Sequence, residues 1–392
     1  MNILFYRYGS ICEPDIIASF KHLGFNITED TREVYNKQLL PSDCINGLAK
    51  LLKQNTYSFV FSINFFPSVS DVCNIWEIPY LCLIVDSPVL ELFSTSLANP
   101  CNKVFLFDRQ LYNDFHHINP DGIFHIPLAT NVRDNYATAA MASAADRARF
   151  SSDISFIGSL YSEKCLYNKI TLPEEMRGYV DGLIEAQLLV YGYNFIEECV
   201  TPELIDSFTK ARPELANFPS SMKVDTKAVI AQHIISVKVA EQERLRYLKA
   251  LSEHFNVDLY TGSDTSSMPL IHNRGFAKTN TEMPIIFNQS KINLNLTAKS
   301  IRSGLSLRIF DVLGCDGFLI TNYQAELPEH FNIGEDLEAY TSLDDLIGKC
   351  EYYLSHDKER REIAHNGFEK VKKYHTYDIR LTQMLEIAFG LK

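Results

Sequence analysis

The stretch Lys291–Tyr323, KINLNLTAKSIRSGLSLRIFDVLGCDGFLITNY, predicts a strand, a polar loop, a helix and a second strand in direct succession. Apolar residues alternate with polar ones from Ile292 to Leu296, which is the period of a strand with one buried face. A polar run with a glycine follows, and helical spacing begins at Leu307. The next apolar run, Phe318–Ile320, predicts another strand. This succession indicates an α/β protein.

Charged residues at the start of the predicted helix indicate a nucleotide-diphosphate site. A helix N-terminus offers free backbone N–H groups to phosphate, and the guanidinium of Arg308 can clamp phosphate with two hydrogen bonds. Asp311, one turn further on, can accept hydrogen bonds from ribose hydroxyls. The preceding loop supplies four further candidate contacts, Lys299, Arg302, Ser303 and Gly304. Arg308 is the first candidate for phosphate contact, and Lys299 and Arg302 rank after it. The alternative for Lys299 and Arg302 is that they lie in a solvated loop.

The same stretch resembles the donor-binding motif of GT-B glycosyltransferases, and in particular that of the CgeB-like group 1 glycosyl transferases. Arg308-Ile309-Phe310-Asp311 and then Leu313-Gly314-Cys315 correspond to the family pattern R-x-F-E followed by small-x-G. The resemblance implies that Asp311 takes the place of the ribose-binding glutamate. Many of these enzymes carry a second glutamate eight residues earlier, where this chain has Ser303. A sugar-contacting role at that position, and the stereochemical course of the transfer, therefore stay open.

Composition and charge argue against several other classes of protein. The chain has 392 residues, of which 46% are hydrophobic, and this is enough for two cores. A net charge of −12 argues against nucleic acid or an anionic membrane as the main partner. The nine scattered cysteines lack zinc-like spacing and indicate free thiols in a reducing compartment. Because neither a signal-peptide core nor a membrane-spanning apolar run occurs, we expect a cytoplasmic protein without a transmembrane segment.

The first 131 residues alternate short apolar strands with helical patterns, which predicts a parallel sheet covered on both faces. The predicted strands are 2–8, 26–29, 58–63, 80–85, 103–107 and 123–126. Gly9, after the first strand, could let the backbone approach a ligand, and the alternative is an ordinary tight turn. Asp86 follows a strand in a stretch that resembles the D-x-P signature of DUF3880-type N-terminal domains. It could act as the base for an acceptor hydroxyl, or cap the following turn.

A second domain is expected to begin at residue 152. We interpret the alanine-rich region 132–151 as a linker with a surface helix, and 152–376 as a Rossmann-like domain with a helical insertion at about 165–252. Gly158 and Ser159 end its first strand and resemble the phosphate-facing loop of CgeB-like proteins. Arg274 lies in the loop that tends to meet the nucleotide base in GT-B enzymes. Residues 377–392 are expected to form a helix that packs back towards the first domain.

These resemblances imply the GT-B fold, an α/β architecture in which two Rossmann-like domains face each other across a cleft. The first domain would bind the acceptor and the second a UDP- or GDP-sugar donor, with no cofactor required. No D-x-D pair occurs to hold a metal ion, so we expect metal-independent transfer to a hydroxyl of a glycan, protein or small molecule. The alternatives are a nucleotide-sugar epimerase and a non-catalytic nucleotide-sugar-binding protein.

Overall fold

The computed structural model describes residues 1–390, which divide into two compact units. The first unit contains Met1–Asn131, the short segment Phe218–Val224 and the described residues from Thr376 onward. The second unit contains Val132–Asn217 and Asp225–His375. Each unit has its own six-stranded sheet, and every neighbouring pair of strands in it is parallel.

The sheet of the first unit has strands β1 Asn2–Tyr6, β2 Asn26–Asp30, β3 Phe59–Ile63, β4 Tyr80–Leu83, β5 Asn102–Leu106 and β6 Ile123–His125. Its helices are α1 Glu13–His22, α2 Arg32–Tyr35, α3 Pro41–Gln54, α4 Pro67–Ile75 and α5 Arg109–Phe115. The strands stand in the order β2-β1-β3-β4-β5-β6. All residues of the central strand β3 are buried, because the sheet is covered on both faces.

The sheet of the second unit has strands β7 Ser152–Ile157, β8 Val257–Tyr260, β9 His272–Asn273, β10 Ser290–Asn295, β11 Leu319–Asn322 and β12 Glu338–Tyr340. Its first helices are α6 Val132–Ala140, α7 Ala144–Phe150, α8 Glu174–Leu188, α9 Pro202–Ala211, α10 Thr226–Val229 and α11 Ser236–His254. The later ones are α12 Met283–Gln289, α13 Leu307–Leu313, α14 Leu327–His330, α15 Leu343–Ser355 and α16 Asp357–Tyr374. The strand order is β12-β11-β10-β7-β8-β9.

The predicted strands of the first unit are confirmed, and each observed strand ends within two residues of its predicted bounds. The region 132–151 differs from its interpretation as a linker, because α6 and α7 belong to the second unit. Alanine-rich sequence favours helix, and Phe150 joins a core cluster with Tyr260 and Ile286. Because Phe150 is buried in this cluster, the region 132–151 packs as part of the second unit.

The segment Phe218–Val224 leaves the helical region 165–252 and belongs to the first unit. Met222 forms an isolated antiparallel bridge with Ser94. The amide of Thr95 donates to the carbonyl of Ser221 at 2.8 Å, and the amide of Lys223 donates to that of Phe93 at 2.8 Å. The predicted insertion is therefore mainly helical but includes a segment that pairs with the first unit's chain.

The last helix, α17 Tyr377–Phe389, lies in the first unit and packs against α1. Thr376, just before it, forms a parallel bridge with Thr130. Among residues 1–390, no helix combines the length and the apolar character that a membrane crossing requires.

Candidate functional site

The order of strands in the second sheet defines where a ligand is expected. From β7 the chain proceeds outward to β8 and β9, and then returns to β10 on the other side of β7. In open parallel sheets, ligands bind beyond the carboxyl ends of the strands at such a reversal. The predicted residues Gly158 and Ser159 follow β7, and the loop with Lys299 and Arg302 follows β10. The fold therefore brings these two loops to one edge of the sheet.

The buried Arg244 holds these two loops together. Its guanidinium donates to the carbonyl of Ser159 and, at 2.6 Å, to the carbonyl of Leu296. Its carbon Cζ lies 5.2 Å from the ring centre of Phe156 and 4.4 Å from that of Tyr161. The amide of Gly158 donates to the carbonyl of Tyr260 at 3.1 Å, which fixes the start of the β7 loop. Arg244 was not identified from the sequence, because nothing local distinguishes it from other helical arginines.

A buried polar network positions the start of α13. The side-chain amide of Asn295 donates to Thr297 and to Thr321, each at 2.9 Å. Asn322 accepts from the amide of Thr297 at 2.8 Å. Ser306, the residue before α13, donates to the oxygen of Asn295 at 3.3 Å. Satisfied buried networks of this kind order their loops, and α13 carries the predicted donor-binding residues.

Arg308 and Asp311 lie side by side on α13. The guanidinium Nη1 lies 3.5 Å from the carboxylate Oδ2, and the two side chains are 21% and 19% exposed. Phe287 of α12 supports the guanidinium, with 5.1 Å between Cζ and the ring centre. Both side chains are thus oriented by neighbours while part of each is accessible to a ligand.

Lys299 points into the interior of the unit. Its ammonium lies 3.6 Å from a carboxylate oxygen of Glu243 and 3.8 Å from the ring centre of Tyr191. Burial lowers the pKa of Lys299, and the charge of Glu243 opposes that shift. Phosphate contact by Lys299 stays a prediction, and the structure shows that its charge already has an anionic partner.

The other candidates of the β10 loop are also engaged. Arg302 lies 4.0 Å from a carboxylate oxygen of Glu197. The hydroxyl of Ser303 donates to Glu326 at 2.7 Å, and the amide of Glu326 donates back to the carbonyl of Ser303 at 3.1 Å. Gly304 beside them is buried. The loop is therefore tied to α14 and to the helical region, and Glu326 is a second residue that sequence reasoning missed.

Arg274 directly follows β9, the outermost strand on one side of the second sheet. Its guanidinium donates to the carbonyl of Arg149 at 2.8 Å and lies 4.0 Å from Asp258. The side chain is 37% exposed. Contact with a nucleotide base stays a prediction for this loop.

The first unit carries a polar cluster at its own carboxyl edge. Asp86 is exposed, and its Oδ2 accepts from the side-chain amide of Asn64 at 2.7 Å. The same amide donates to the phenol oxygen of Tyr8 at 2.9 Å. Burial and the nearby charge of Asp86 raise the pKa of Tyr8 to about 12. Asn64 and Tyr8 were not singled out from the sequence, although Tyr8 ends one predicted strand and Asn64 follows another.

Gly9 occupies a turn that only glycine adopts readily. Its φ is +93°, in the left-handed region. The amides of Tyr8 and Gly9 donate to Glu13 at 2.9 and 2.8 Å, and Glu13 is fully buried. A carboxylate of the chain itself therefore occupies the amides that a ligand would need, although the role of Gly9 in binding stays a prediction.

A surface cavity of about 460 Å³ lies at the opposite, amino edge of the second sheet. Its charged lining residues include Lys291, Arg361 and Asp357. Lys291 pairs with Asp153 at 2.7 Å, and Arg361 pairs with Asp357 at 2.9 Å. The cavity is distant from the carboxyl ends of the strands, where α/β proteins bind their ligands. Within residues 1–390, no group of three or more His, Cys, Asp or Glu side chains is arranged to hold a metal ion.

Comparison with known proteins agrees with this architecture. Residues 242–386 match the glycosyl transferase-like family, and these residues include the β10 loop and α13. No curated protein sequence matches the chain. A glycosyltransferase from Rickettsia africae ESF-5 superposes with a TM-score of 0.55 at 12% identity, over 100% of this chain and 98% of that one.

Two further solved structures have the same fold. Sucrose-phosphate synthase from Thermosynechococcus elongatus superposes with a TM-score of 0.59 at 9% identity, over the whole of both chains. Anabaena HepE in complex with UDP and glucose superposes with a TM-score of 0.52 at 10% identity, over 98% of this chain and 99% of that one. The predicted GT-B architecture is thereby confirmed. The chain has the GT-B fold, and its residues 242–386 match the glycosyl transferase-like family.

Proposed function

We propose that the protein transfers a sugar from a nucleoside-diphosphate sugar to an acceptor hydroxyl, with Asp311 and Arg308 as the main donor contacts. The observation that carries the proposal is this pair, 3.5 Å apart and about one-fifth exposed on the first turns of α13. It lies within the region that matches the glycosyl transferase-like family. HepE, which shares the fold, binds UDP and glucose.

The chemistry of the pair suits a nucleoside diphosphate. A carboxylate accepts hydrogen bonds from two vicinal ribose hydroxyls, and a neighbouring guanidinium offers a planar pair of donors to the diphosphate. In the transfer, the acceptor oxygen bonds to the anomeric carbon while the bond from that carbon to the diphosphate oxygen breaks. The leaving diphosphate keeps the electron pair, and Arg308 would stabilise the added charge. The acceptor's proton passes to a base, and Asp86 is the candidate for that role.

Three finer assignments belong to the same proposal. The order of motifs along the chain supports a CgeB-like enzyme with a DUF3880-type first domain. The absence of D-x-D from the sequence supports transfer without a metal ion. The cysteines of the described chain are free thiols, which supports a reducing, cytoplasmic location.

Calorimetric titration with UDP and GDP tests the donor site. Replacing Asp311 with alanine removes hydrogen bonds to ribose worth about 1–3 kcal/mol in total, so we expect affinity to fall about tenfold or more. Asp206→Ala is the matched control, because Asp206 is also a helical aspartate paired with a cation, Lys210 at 2.5 Å. Unchanged affinity in a folded Asp311→Ala protein would contradict the assignment.

Turnover assays with a panel of UDP- and GDP-sugars separate the proposed enzyme from its alternatives. We expect transfer to an acceptor, and turnover that persists in excess chelator. Binding of nucleotide sugar without hydrolysis or transfer would indicate a binding protein, and conversion of the donor sugar without an acceptor would indicate an epimerase. Complete loss of turnover in chelator, restored by Mg²⁺ or Mn²⁺, would contradict the metal-independent mechanism.

A further inference from the structure

The carboxyl edge of the first sheet carries a second reversal of strand order. The chain places β2 on one side of β1 and β3 on the other, with β4 beyond β3. Tyr8, Asn64 and Asp86 follow β1, β3 and β4, so that three neighbouring strands deliver one residue each to this edge. Ligands of α/β sheets bind at such a position.

Asn64 organises this edge in an uncommon backbone conformation. Its φ of +59° lies in the left-handed region, where non-glycine residues cluster at functional sites. The side-chain oxygen accepts from the amide of Val85 at 3.0 Å, and the side-chain nitrogen donates to both Tyr8 and Asp86. These bonds orient the phenol and the carboxylate. Asp86 is exposed, so its carboxylate is accessible to a ligand hydroxyl.

Aromatic rings lie beside the polar groups. The ring centres of Tyr8 and Phe66 are 5.4 Å apart, and both side chains are partly exposed. Phe66 in turn packs on Tyr6 at 5.0 Å in an edge-on arrangement, which fixes its position. The edge thus combines partly accessible aromatic surface with an amide and a carboxylate that accept or donate hydrogen bonds.

Charge at this edge does not favour an anion. Arg7, the nearest arginine along the chain, is paired with Glu13 at 2.8 Å and with Glu29 at 2.6 Å. Lys37 is exposed, donates to the backbone carbonyl of Tyr8, and carries its ammonium 5.8 Å from the centre of the Tyr8 ring. Asp86 adds an exposed negative charge. These two opposite charges offset each other, so the edge presents no net charge that would attract a phosphorylated or carboxylated ligand, and a neutral polyol suits it better.

We propose that this edge binds a neutral saccharide, and that the acceptor of the transfer reaction is therefore a sugar hydroxyl. A pyranose ring presents C–H groups on its faces and hydroxyls on its rim, which matches an aromatic surface beside hydrogen-bonding side chains. Tyr8 and Phe66 contact the apolar face, while Asp86 and Asn64 bind hydroxyls on the rim. The identification of this saccharide as the acceptor rests on the proposed function, but its binding does not require the donor.

Saturation-transfer NMR on the full-length protein, without nucleotide, tests the site. The probes are lactose, maltose, cellobiose and N,N′-diacetylchitobiose, with glucose 6-phosphate and a serine-containing peptide as competitors from other classes. We expect at least one neutral disaccharide to bind, and Tyr8→Ala to weaken it about tenfold, since loss of an aromatic contact of about 1.4 kcal/mol has that effect. Tyr8→Phe keeps the aromatic ring, so its affinity for the disaccharide should fall less than that of Tyr8→Ala.

Trp76→Ala is the control, because Trp76 is an exposed aromatic that precedes β4 and so lies at the opposite edge of the same sheet. Asp86→Asn provides a second variant if Tyr8→Ala does not fold, and it should also weaken saccharide binding. No binding by any disaccharide, equal binding by Tyr8→Ala and wild type, or a preference for the peptide or the phosphosugar would overturn the proposal. If UDP still binds through Asp311 in that case, the donor-site assignment stands and only the saccharide site fails.

Discussion

Lys299 and Glu243 place a positive and a negative charge in the interior of the second unit. Their side chains are 7% and 1% exposed, and Nζ lies 3.6 Å from the carboxylate. Neither oxygen of Glu243 accepts a hydrogen bond within the described chain. The Lys299 ammonium is therefore the main group that compensates the buried charge of Glu243, and the Glu243 carboxylate compensates the charge of Lys299. Removing one partner of such a pair leaves an uncompensated buried charge, whereas removing both is often neutral.

We predict that Glu243→Leu destabilises the second unit by about 3–5 kcal/mol, because Lys299 keeps its charge without a partner. Adding Lys299→Met to the same chain should recover most of that loss. Urea unfolding followed by circular dichroism measures both variants, with the exposed Glu253→Ala as control. Strictly additive losses in the double variant would show that the two charges do not stabilise each other.

The role of Asp86 as the base can be tested by replacing one of its carboxylate oxygens with an amide nitrogen. Asp86→Asn keeps the shape of the side chain but can no longer accept a proton. We expect the rate of transfer to fall about 10²–10⁴-fold, with UDP affinity and melting temperature close to wild type. If Asp86 only caps the following turn, the rate of transfer should fall little. The free energy of unfolding should then change instead, by on the order of 1 kcal/mol. Near-normal turnover in the folded variant would assign the base elsewhere.

Among the elements, the helical run from Thr226 to His254 contains a π-helical turn, Ile230–Ile235, between α10 and α11. Such turns are rare and often lie near functional sites. Gln232 in this turn donates to Glu197 at 2.7 Å, and Glu197 also lies 4.0 Å from Arg302 of the β10 loop. The turn thus helps to hold the loop that precedes the donor residues.

His233 in the π-helical turn makes this element sensitive to acid. Burial lowers the pKa of His233 from 6.5 to about 4, and its Nε2 has no hydrogen-bond partner within residues 1–390. The unfolded chain therefore takes up a proton below about pH 6.5 that the folded chain takes up only near pH 4. Stability falls through that interval, by up to about 3 kcal/mol at 1.36 kcal/mol per pKa unit.

We predict that His233→Phe removes this part of the acid sensitivity. Denaturant unfolding at several pH values from 7 to 4 should give a shallower loss of stability than in wild type. His254→Gln, at the exposed end of α11, should leave the profile unchanged. An identical pH profile for His233→Phe and wild type would show that His233 is not responsible.

For the whole molecule, the first unit is completed by the end of the described chain. Asp378 lies 2.6 Å from Nδ1 of His22 on α1. The buried Arg380 donates to the carbonyl of Leu128 at 3.2 Å. Phe389 lies 5.8 Å from Phe59 of β3, measured between ring centres. The unit therefore reaches its final packing only when α17 is in place.

We predict that Leu381→Ala, which truncates a fully buried α17 residue, destabilises the first unit by about 2–5 kcal/mol. Hydrogen exchange should show faster exchange in α1, while β7 and β10 of the second unit keep their protection. Glu386→Ala, on an exposed position of the same helix, is the control. Equal loss of protection in both units would show that they unfold as one.

The sequence by itself determined the features that depend on neighbouring residues. Alternating apolar runs located each strand of the first sheet, and the spacing of Arg308 and Asp311 placed both on one helix turn. Strand period and helix period are local properties, so they can be read without knowing the fold. The order of motifs likewise indicated the GT-B architecture, which the comparisons confirm.

Tertiary structure alone decided which polar groups are already paired. Arg244 binds carbonyls 52 and 85 residues away in the chain, and Ser303 binds Glu326, which directly precedes α14. The partner of Lys299 is likewise on α11, outside the loop. Helix and strand patterns indicate which face of an element is buried, but they do not show which distant residue lies against it. For this reason only the folded structure distinguishes the residues that a ligand can reach from the residues that hold the loops in place.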